Sequence, residues 1–140
     1  MNRVLFDSSA LFKRYNRELG RDQVLAIGDK ADAVVVAAHC LTELASALNR
    51  QRHDGVLNEE DYSGIIAVMR DEFAEFAVIP LDRRVEAFAV QAMQRVRLRA
   101  MDALHIGTAQ AAYVDVFVTA DRRQAQAARA AGLTTELIEA

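Results

Sequence analysis

Three short apolar runs, Val4 to Phe6, Ala33 to Val36 and Val114 to Val118, are spread along a chain whose intervening segments keep helical periodicity. Runs of this length without polar interruption suit strands buried on both faces. Strands that alternate with helices and lack hairpin signals predict a parallel sheet covered on both sides. Such a sheet binds its ligands beyond the carboxyl ends of its strands. The 140 residues, 52% of them hydrophobic with six Gly and one Pro, suffice for one domain with a full core and short connections.

Taken in order, the first run ends at Asp7, and Ser8 or Ser9 is expected to cap a helix containing Ala10, Leu11 and Phe12, with Asp7 itself the alternative cap. A second helix is expected from about Gly20 to Lys30, ahead of the Ala33 run. Leu41, Leu44, Ala45 and Leu48 line one face of a helix from about Cys40 to Arg52, which Asp54-Gly55 ends. Asn58 caps the next, whose stripe is Tyr62, Ile65, Ile66, Met69, Phe73 and Phe76. Phe76 to Pro80 suits a short strand, and Leu81-Asp82 opens a helix carrying Val85, Phe88, Ala89, Ala92, Met93 and Val96. After a helix that Asp102 opens and the Val114 run, the last helix stops at Gly132, leaving Thr134 to Ile138 as a final strand or tail.

No apolar run reaches membrane-spanning length, and Met1 to Asp7 is too short an apolar stretch for a signal peptide, so a cytoplasmic protein is expected. A lone cysteine, Cys40, forms no internal disulfide, and its apolar neighbours suit a buried thiol rather than a nucleophile. The net charge of -3 excludes a generally basic nucleic-acid coat and leaves any such contact to local clusters.

The chemistry concentrates in four acids. Asp7 and Asp121 each follow an apolar strand, while Glu43 and Asp102 each stand in the first turn of a helix, so all four converge on the carboxyl edge of the sheet. Two like charges about 4 Å apart repel by roughly 4 kcal/mol at an effective dielectric near 20. A hard divalent cation removes that conflict, and an all-oxygen set selects Mg²⁺ or Mn²⁺ over zinc. Such an ion lowers the pKa of a bound water and so suits in-line attack on a phosphodiester. Asp102, His105, Ile106 and Ala109 share one helical face, and His105 is expected to pack and hydrogen-bond rather than act as a base.

Asp7-Ser8-Ser9-Ala10-Leu11, Thr42-Glu43-Leu44-Ala45-Ser46-Ala47-Leu48, Leu98-Arg99-Ala100-Met101-Asp102-Ala103-Leu104-His105 and Val118-Thr119-Ala120-Asp121 resemble, in order and spacing, the four conserved blocks of PIN-domain ribonucleases. The likeness is greatest to the VapC-type toxins of bacterial toxin–antitoxin pairs and extends over essentially the whole chain, residues 1–140. It implies a three-layer α/β/α domain with a central parallel sheet of four to five strands. It further implies a metal-dependent endoribonuclease in which Asp7, Glu43, Asp102 and Asp121 hold Mg²⁺ or Mn²⁺, and Ser9 and Thr119 support them by hydrogen bonding. Cleavage in the family leaves a 5′-phosphate and a 3′-hydroxyl. Some members carry a further acid after the fourth, whereas Arg122, Arg123 and Gln124 follow here, which bears on a second metal ion.

Lys13, Arg14, Arg95, Arg97, Arg99, Arg122 and Arg123 are candidates for gripping RNA phosphates. The implied partners are a small antitoxin that wraps the helices and presents a basic side chain to the acidic pocket, an RNA substrate, and a second copy in a homodimer. The stripe from Tyr62 to Phe76, with the first helices, is the candidate groove or dimer contact. The alternative is a catalytically silent PIN-like module that binds RNA or protein; degenerate members lose acids, and this chain keeps all four. A phosphatase-like hydrolase would want a second aspartate two positions after Asp7, where Ser9 stands.

Overall fold

The computed structural model describes residues 1–139. Strands β1 (Arg3–Phe6), β2 (Ala33–Ala37), β3 (Ala77–Ile79), β4 (Val116–Thr119) and β5 (Thr135–Leu137) form one sheet in the order β3-β2-β1-β4-β5. Every pairing is parallel, with Leu5 beside Val35 on one side and Phe117 on the other. Among the described residues seven helices connect and cover it: α1 (Ser8–Tyr15), α2 (Arg21–Lys30), α3 (Cys40–His53), α4 (Glu59–Glu75), α5 (Arg83–Arg95), α6 (Ala100–Ala111) and α7 (Arg122–Ala130).

Because side chains alternate across a strand, each apolar run feeds two cores. Val4, Phe6, Val36 and Val118 pack with Ala10 and Leu11 of α1, Val24 of α2, Leu44 and Leu48 of α3, and Met69 and Phe73 of α4. Leu5, Val35 and Phe117 point the other way, against Ala92 of α5, Ile106 and Ala109 of α6, and Ala127 and Ala128 of α7. This is the expected three-layer α/β/α arrangement, with five strands.

Two boundaries differ in an instructive way. Val114 lies outside β4: its N–H bonds back to the Ala109 carbonyl, and Tyr113 before it takes a positive φ of 53°, so the α6 C-terminal turn claims it. The α4 stripe is spent largely inside the chain, where Met69 and Phe73 are buried and Tyr62, Ile65, Ile66 and Phe76 pack against the first core. What stays open beside it is a cleft of 980 Å³ lined in part by Arg14, Tyr15, Arg17, Leu57, Ile65 and Val68.

The tightest joint in the fold lies between α5 and α6. A Cβ added at Gly107 would stand 2.4 Å from the Val85 carbonyl oxygen and 2.9 Å from the Ala89 nitrogen, so only glycine lets the two backbones meet. That contact fixes α6, and with it Asp102, over the sheet. No helix among the described residues is long and apolar enough to cross a membrane.

Candidate functional site

In the strand order the chain moves from β1 outward to β2 and β3, then returns to the other side of β1 for β4 and β5. The reversal sits between β1 and β4, where open parallel sheets form their ligand crevice. Asp7 follows β1 at that point and Asp121 follows β4; Glu43 and Asp102 lie in the first turns of α3 and α6.

Asp7 is the buried member, at 3% exposure. It caps α1, with Oδ1 accepting from the Ala10 N–H at 3.0 Å and from Ser9 Oγ at 2.7 Å, while Oδ2 accepts from Thr119 Oγ1 at 2.5 Å. The two hydroxyls are held in turn by the β4–α7 turn: Ser9 Oγ accepts from the Ala120 N–H and Thr119 Oγ1 from the Asp121 N–H. Burial pushes the Asp7 carboxyl above the ordinary aspartate range, against the charge of His105 and the hydrogen bonds of Thr119, Ser9 and Ala10.

Asp102 is half-buried and also raised, first by burial and then by the charge of Asp7, with Asp121 and Glu43 adding to it and His105 opposing. Among the described residues its carboxylate takes part in no side-chain hydrogen bond, although its backbone carbonyl accepts from Gln124 Nε2 at 2.8 Å. Asp121 is exposed and caps α7, its Oδ1 accepting from the Arg123 and Gln124 N–H groups at 2.8 and 3.1 Å.

Glu43 lives in a different setting. Its Oε1 accepts from Ser8 Oγ at 2.6 Å and from His105 Nε2 at 2.7 Å, and His39 Nε2 lies 3.4 Å away. Burial disfavours its charge, but the bonds from His105 and Ser8, with the two imidazoles, outweigh that and hold it below the usual glutamate range. A carboxylate only accepts, so His105 carries a proton on Nε2, and among the described residues its buried Nδ1 has no partner. The His39 ring lies against the His105 ring, centroids 4.3 Å apart, and its Nε2 donates to the Met101 carbonyl at 3.0 Å.

Ser8, His39 and Gln124 are therefore neighbours of the acids that reading the sequence as a pattern did not single out. Ser8 was visible only as a helix cap, yet its hydroxyl bridges Glu43 and His105 and stands 3.5 Å from Cys40 Sγ. The signal for His39 was its place one helical turn before Glu43. Cys40 itself is fully buried and free, its thiol pushed up to about 12 by burial.

The basic candidates divide. Lys13 is buried, its ammonium bonded to Glu18 and to the Leu19 carbonyl, both at 2.8 Å, and Arg14 is paired with Glu72 through Nε and Nη2. Both are occupied in the fold, which removes the reason for placing them on phosphates. Arg95, Arg97, Arg99, Arg122 and Arg123 are exposed, and Arg99, Arg122 and Arg123 flank the helix starts that carry Asp102 and Asp121.

The donor set suits a hard divalent ion. Three of the roughly four lone-pair positions of the Asp7 carboxylate are used by hydrogen bonds, Glu43 keeps Oε2, and Asp102 is uncommitted. Asp7 and Asp102 share a charge conflict that a cation would relieve. The four acids do not close into a tight cage by themselves: the one trio of His, Cys, Asp or Glu ligand atoms found within 4.8 Å of one another among the described residues is His39, Glu43 and His105.

The fold has counterparts among solved structures. No curated protein matches the chain significantly in sequence. The fold is similar to that of FitAcB from Neisseria gonorrhoeae, with a TM-score of 0.74 at 18% identity over 94% of this chain and 95% of that one. It is also similar to VapC20 from Mycobacterium tuberculosis, described as a sarcin-ricin loop cleaving toxin (0.68, 15%, 89% and 94%), and to DNA-bound VapBC from Salmonella typhimurium (0.70, 15%, 97% and 98%). The likeness to these structures is one of fold, at low identity. The PIN domain model matches residues 4–130, nearly the full length, and the chain belongs to the PIN domain family.

Proposed function

We propose that this PIN domain is a Mg²⁺- or Mn²⁺-dependent endoribonuclease, the toxin of a toxin–antitoxin pair. The observation that carries the reading is the crowding of Asp7, Glu43, Asp102 and Asp121 at the β1/β4 reversal, where Asp102 responds to the charges of the other three. A bound divalent ion would supply a water of lowered pKa and stabilise the charge that develops on a phosphodiester in attack.

The protein's own part is positional. Asp7, Glu43, Asp102 and Asp121 hold the ion; Ser9 and Thr119 fix both oxygens of Asp7, and Ser8 and His105 fix Oε1 of Glu43. Exposed Arg99, Arg122 and Arg123 offset the negative field that would otherwise repel a polyanion. Gln124 is buried and ties α7 to the Asp102 carbonyl, so the segment after Asp121 provides no further inward-facing acid for a second ion.

Partners follow the same reading. Several neighbours of this fold were crystallised as complexes, including a toxin–antitoxin complex from Klebsiella pneumoniae. The cleft between α1, α3 and α4, with Ile65 and exposed Val68 on its wall, is suited to an antitoxin segment. A homodimer and a cytoplasmic location belong to the proposal as well.

The test is cleavage of a mixed RNA pool with Mg²⁺ and with EDTA, using Asp102→Asn beside the parent. The expected result is metal-dependent cutting to 5′-phosphate and 3′-hydroxyl ends, slowed by at least about a hundredfold in the variant. A variant as fast as the parent would sink the metal mechanism. A parent that binds RNA without cutting it would favour the silent binding module.

A further inference from the structure

The two histidines around Glu43 supply no ligand atom to an all-oxygen Mg²⁺ site, and their arrangement fits a different ion. We propose that His39, Glu43 and His105 form a transition-metal site of the two-histidine, one-carboxylate kind. Occupancy by Zn²⁺ withdraws Glu43 from the carboxylate set. The binding site stands on its own geometry; its effect on cleavage rests on the function proposed above.

The trio comes from two elements that the fold locks together. His39 is the N-cap of α3, one turn before Glu43, and His105 is one turn into α6 with its side chain fully enclosed. One ligand atom from each of the three side chains lies within 4.8 Å of the other two, and Nε2 of His39 and Nε2 of His105 stand 3.4 and 2.7 Å from Glu43 Oε1. Ligand atoms about 2.0–2.1 Å from a tetrahedral Zn²⁺ sit roughly 3.3 Å apart, so small side-chain adjustments suffice. Imidazole nitrogen selects zinc and its neighbours in the transition series over magnesium.

The site is reachable from solvent, because the side chains of Glu43 and His39 are 31% and 20% exposed while His105 forms the buried wall. Three protein ligands leave the fourth position of a zinc ion to water. The nearby negative charges of Asp7 and Asp102 add attraction for a cation. Ligation requires both imidazoles to carry their proton on Nδ1 instead of Nε2: His39 releases the Met101 carbonyl, and His105 gives up its hydrogen bond to Glu43. That carbonyl lies within α6, where the His105 N–H is its helical partner.

Affinity is limited by one feature. Zinc-bound imidazoles usually donate their second N–H to a carboxylate or carbonyl, and Nδ1 of His105 has no partner among the described residues. A site that loses this support exchanges its ion reversibly, as an inhibitory site must. Buried Cys40 is no competing ligand, since its sulfur faces Ser8 inside the first core.

Calorimetric titration of the full chain with Zn²⁺ alone tests the proposal, beside Co²⁺ absorption spectra and with His39→Ala and His39→Gln as variants. The expected result is one Zn²⁺ bound by the parent, with affinity falling more than about tenfold in both variants, and an intense low-symmetry Co²⁺ spectrum that both variants lose. Mn²⁺ affinity should change by less than about fivefold in the same variants, because a partly exposed His–Glu contact contributes little. Zn²⁺ binding untouched by loss of His39 would overturn the site and put the ion among the carboxylates. Zinc binding that depends on His39 in a protein that cuts no RNA would leave the site standing and remove only the nuclease reading; RNA cutting with no His39-dependent zinc binding would do the reverse.

Discussion

Thr119 offers the cleanest test of how the buried acid is held. Thr119→Val keeps the branched shape and removes only a hydroxyl that is wholly buried, donates to Asp7 Oδ2 at 2.5 Å and accepts the Asp121 N–H at 3.1 Å. Asp121 is exposed, so water replaces the second bond. Asp7 is 3% exposed, so little water reaches the first. A hydrogen bond to a buried charged group contributes about 1.5–3 kcal/mol, and a neutral one about 1 kcal/mol. The loss should therefore depend on the state of Asp7. Its folded pKa is raised by burial, with Thr119 among the groups opposing the rise. A raised carboxyl favours the folded state most below its unfolded pKa, and that contribution drains away as pH rises through the folded value.

Removing the donor steepens the drain. Urea denaturation in EDTA should give a loss of about 2–3 kcal/mol at about pH 8, falling to about 1 kcal/mol near pH 4. An equal loss at both pH values would refute the idea that Thr119 stabilises a charged Asp7, and no loss at all would refute the contact.

Other expectations follow from particular contacts. Gly107→Ala should lower the thermal midpoint: alanine gains about 1 kcal/mol of helix propensity, but overpacking against the α5 backbone costs about 1–3 kcal/mol, and a raised midpoint would show that α5 yields freely. His105→Leu should weaken Mn²⁺ binding by about tenfold through loss of the Glu43 donor, with His105→Gln partly restoring it; equal affinity in the leucine variant would leave the imidazole a packing role only. Neutralising Arg99, Arg122 and Arg123 together should weaken RNA binding and flatten its salt dependence, whereas Arg14→Gln should cost stability through Glu72 and leave the salt slope unchanged. The reverse pattern would move the RNA to the α1 side.

The fold was legible because its signals are local. Val4 to Phe6 reads as a strand for the same reason that it is one, burial on both faces, and Asn58, Asp82 and Asp121 cap the helices that follow them. The placement of the four acids was legible because strand ends and helix starts in such a sheet share one edge. What escaped depends on long-range geometry. Ser8 and Ser9 are adjacent hydroxyls in sequence, and only the fold sends one to Glu43 and the other to Asp7. Lys13 and Arg14 look like free cations until Glu18 and Glu72 are brought beside them. The α4 stripe looked large enough for a partner because the depth of the first core beneath it cannot be counted along one helix.

The central claim is that carboxylates from four separate segments hold one hard cation at the β1/β4 edge. Calorimetric Mn²⁺ titration of the parent, Asp7→Asn and Asp102→Asn, each checked for a native circular dichroism spectrum, addresses it directly. The parent should bind and each variant should lose at least about tenfold in affinity, since each removes a charge from the ligand set. Folded variants that bind Mn²⁺ as tightly as the parent, or a parent that binds none, would contradict it.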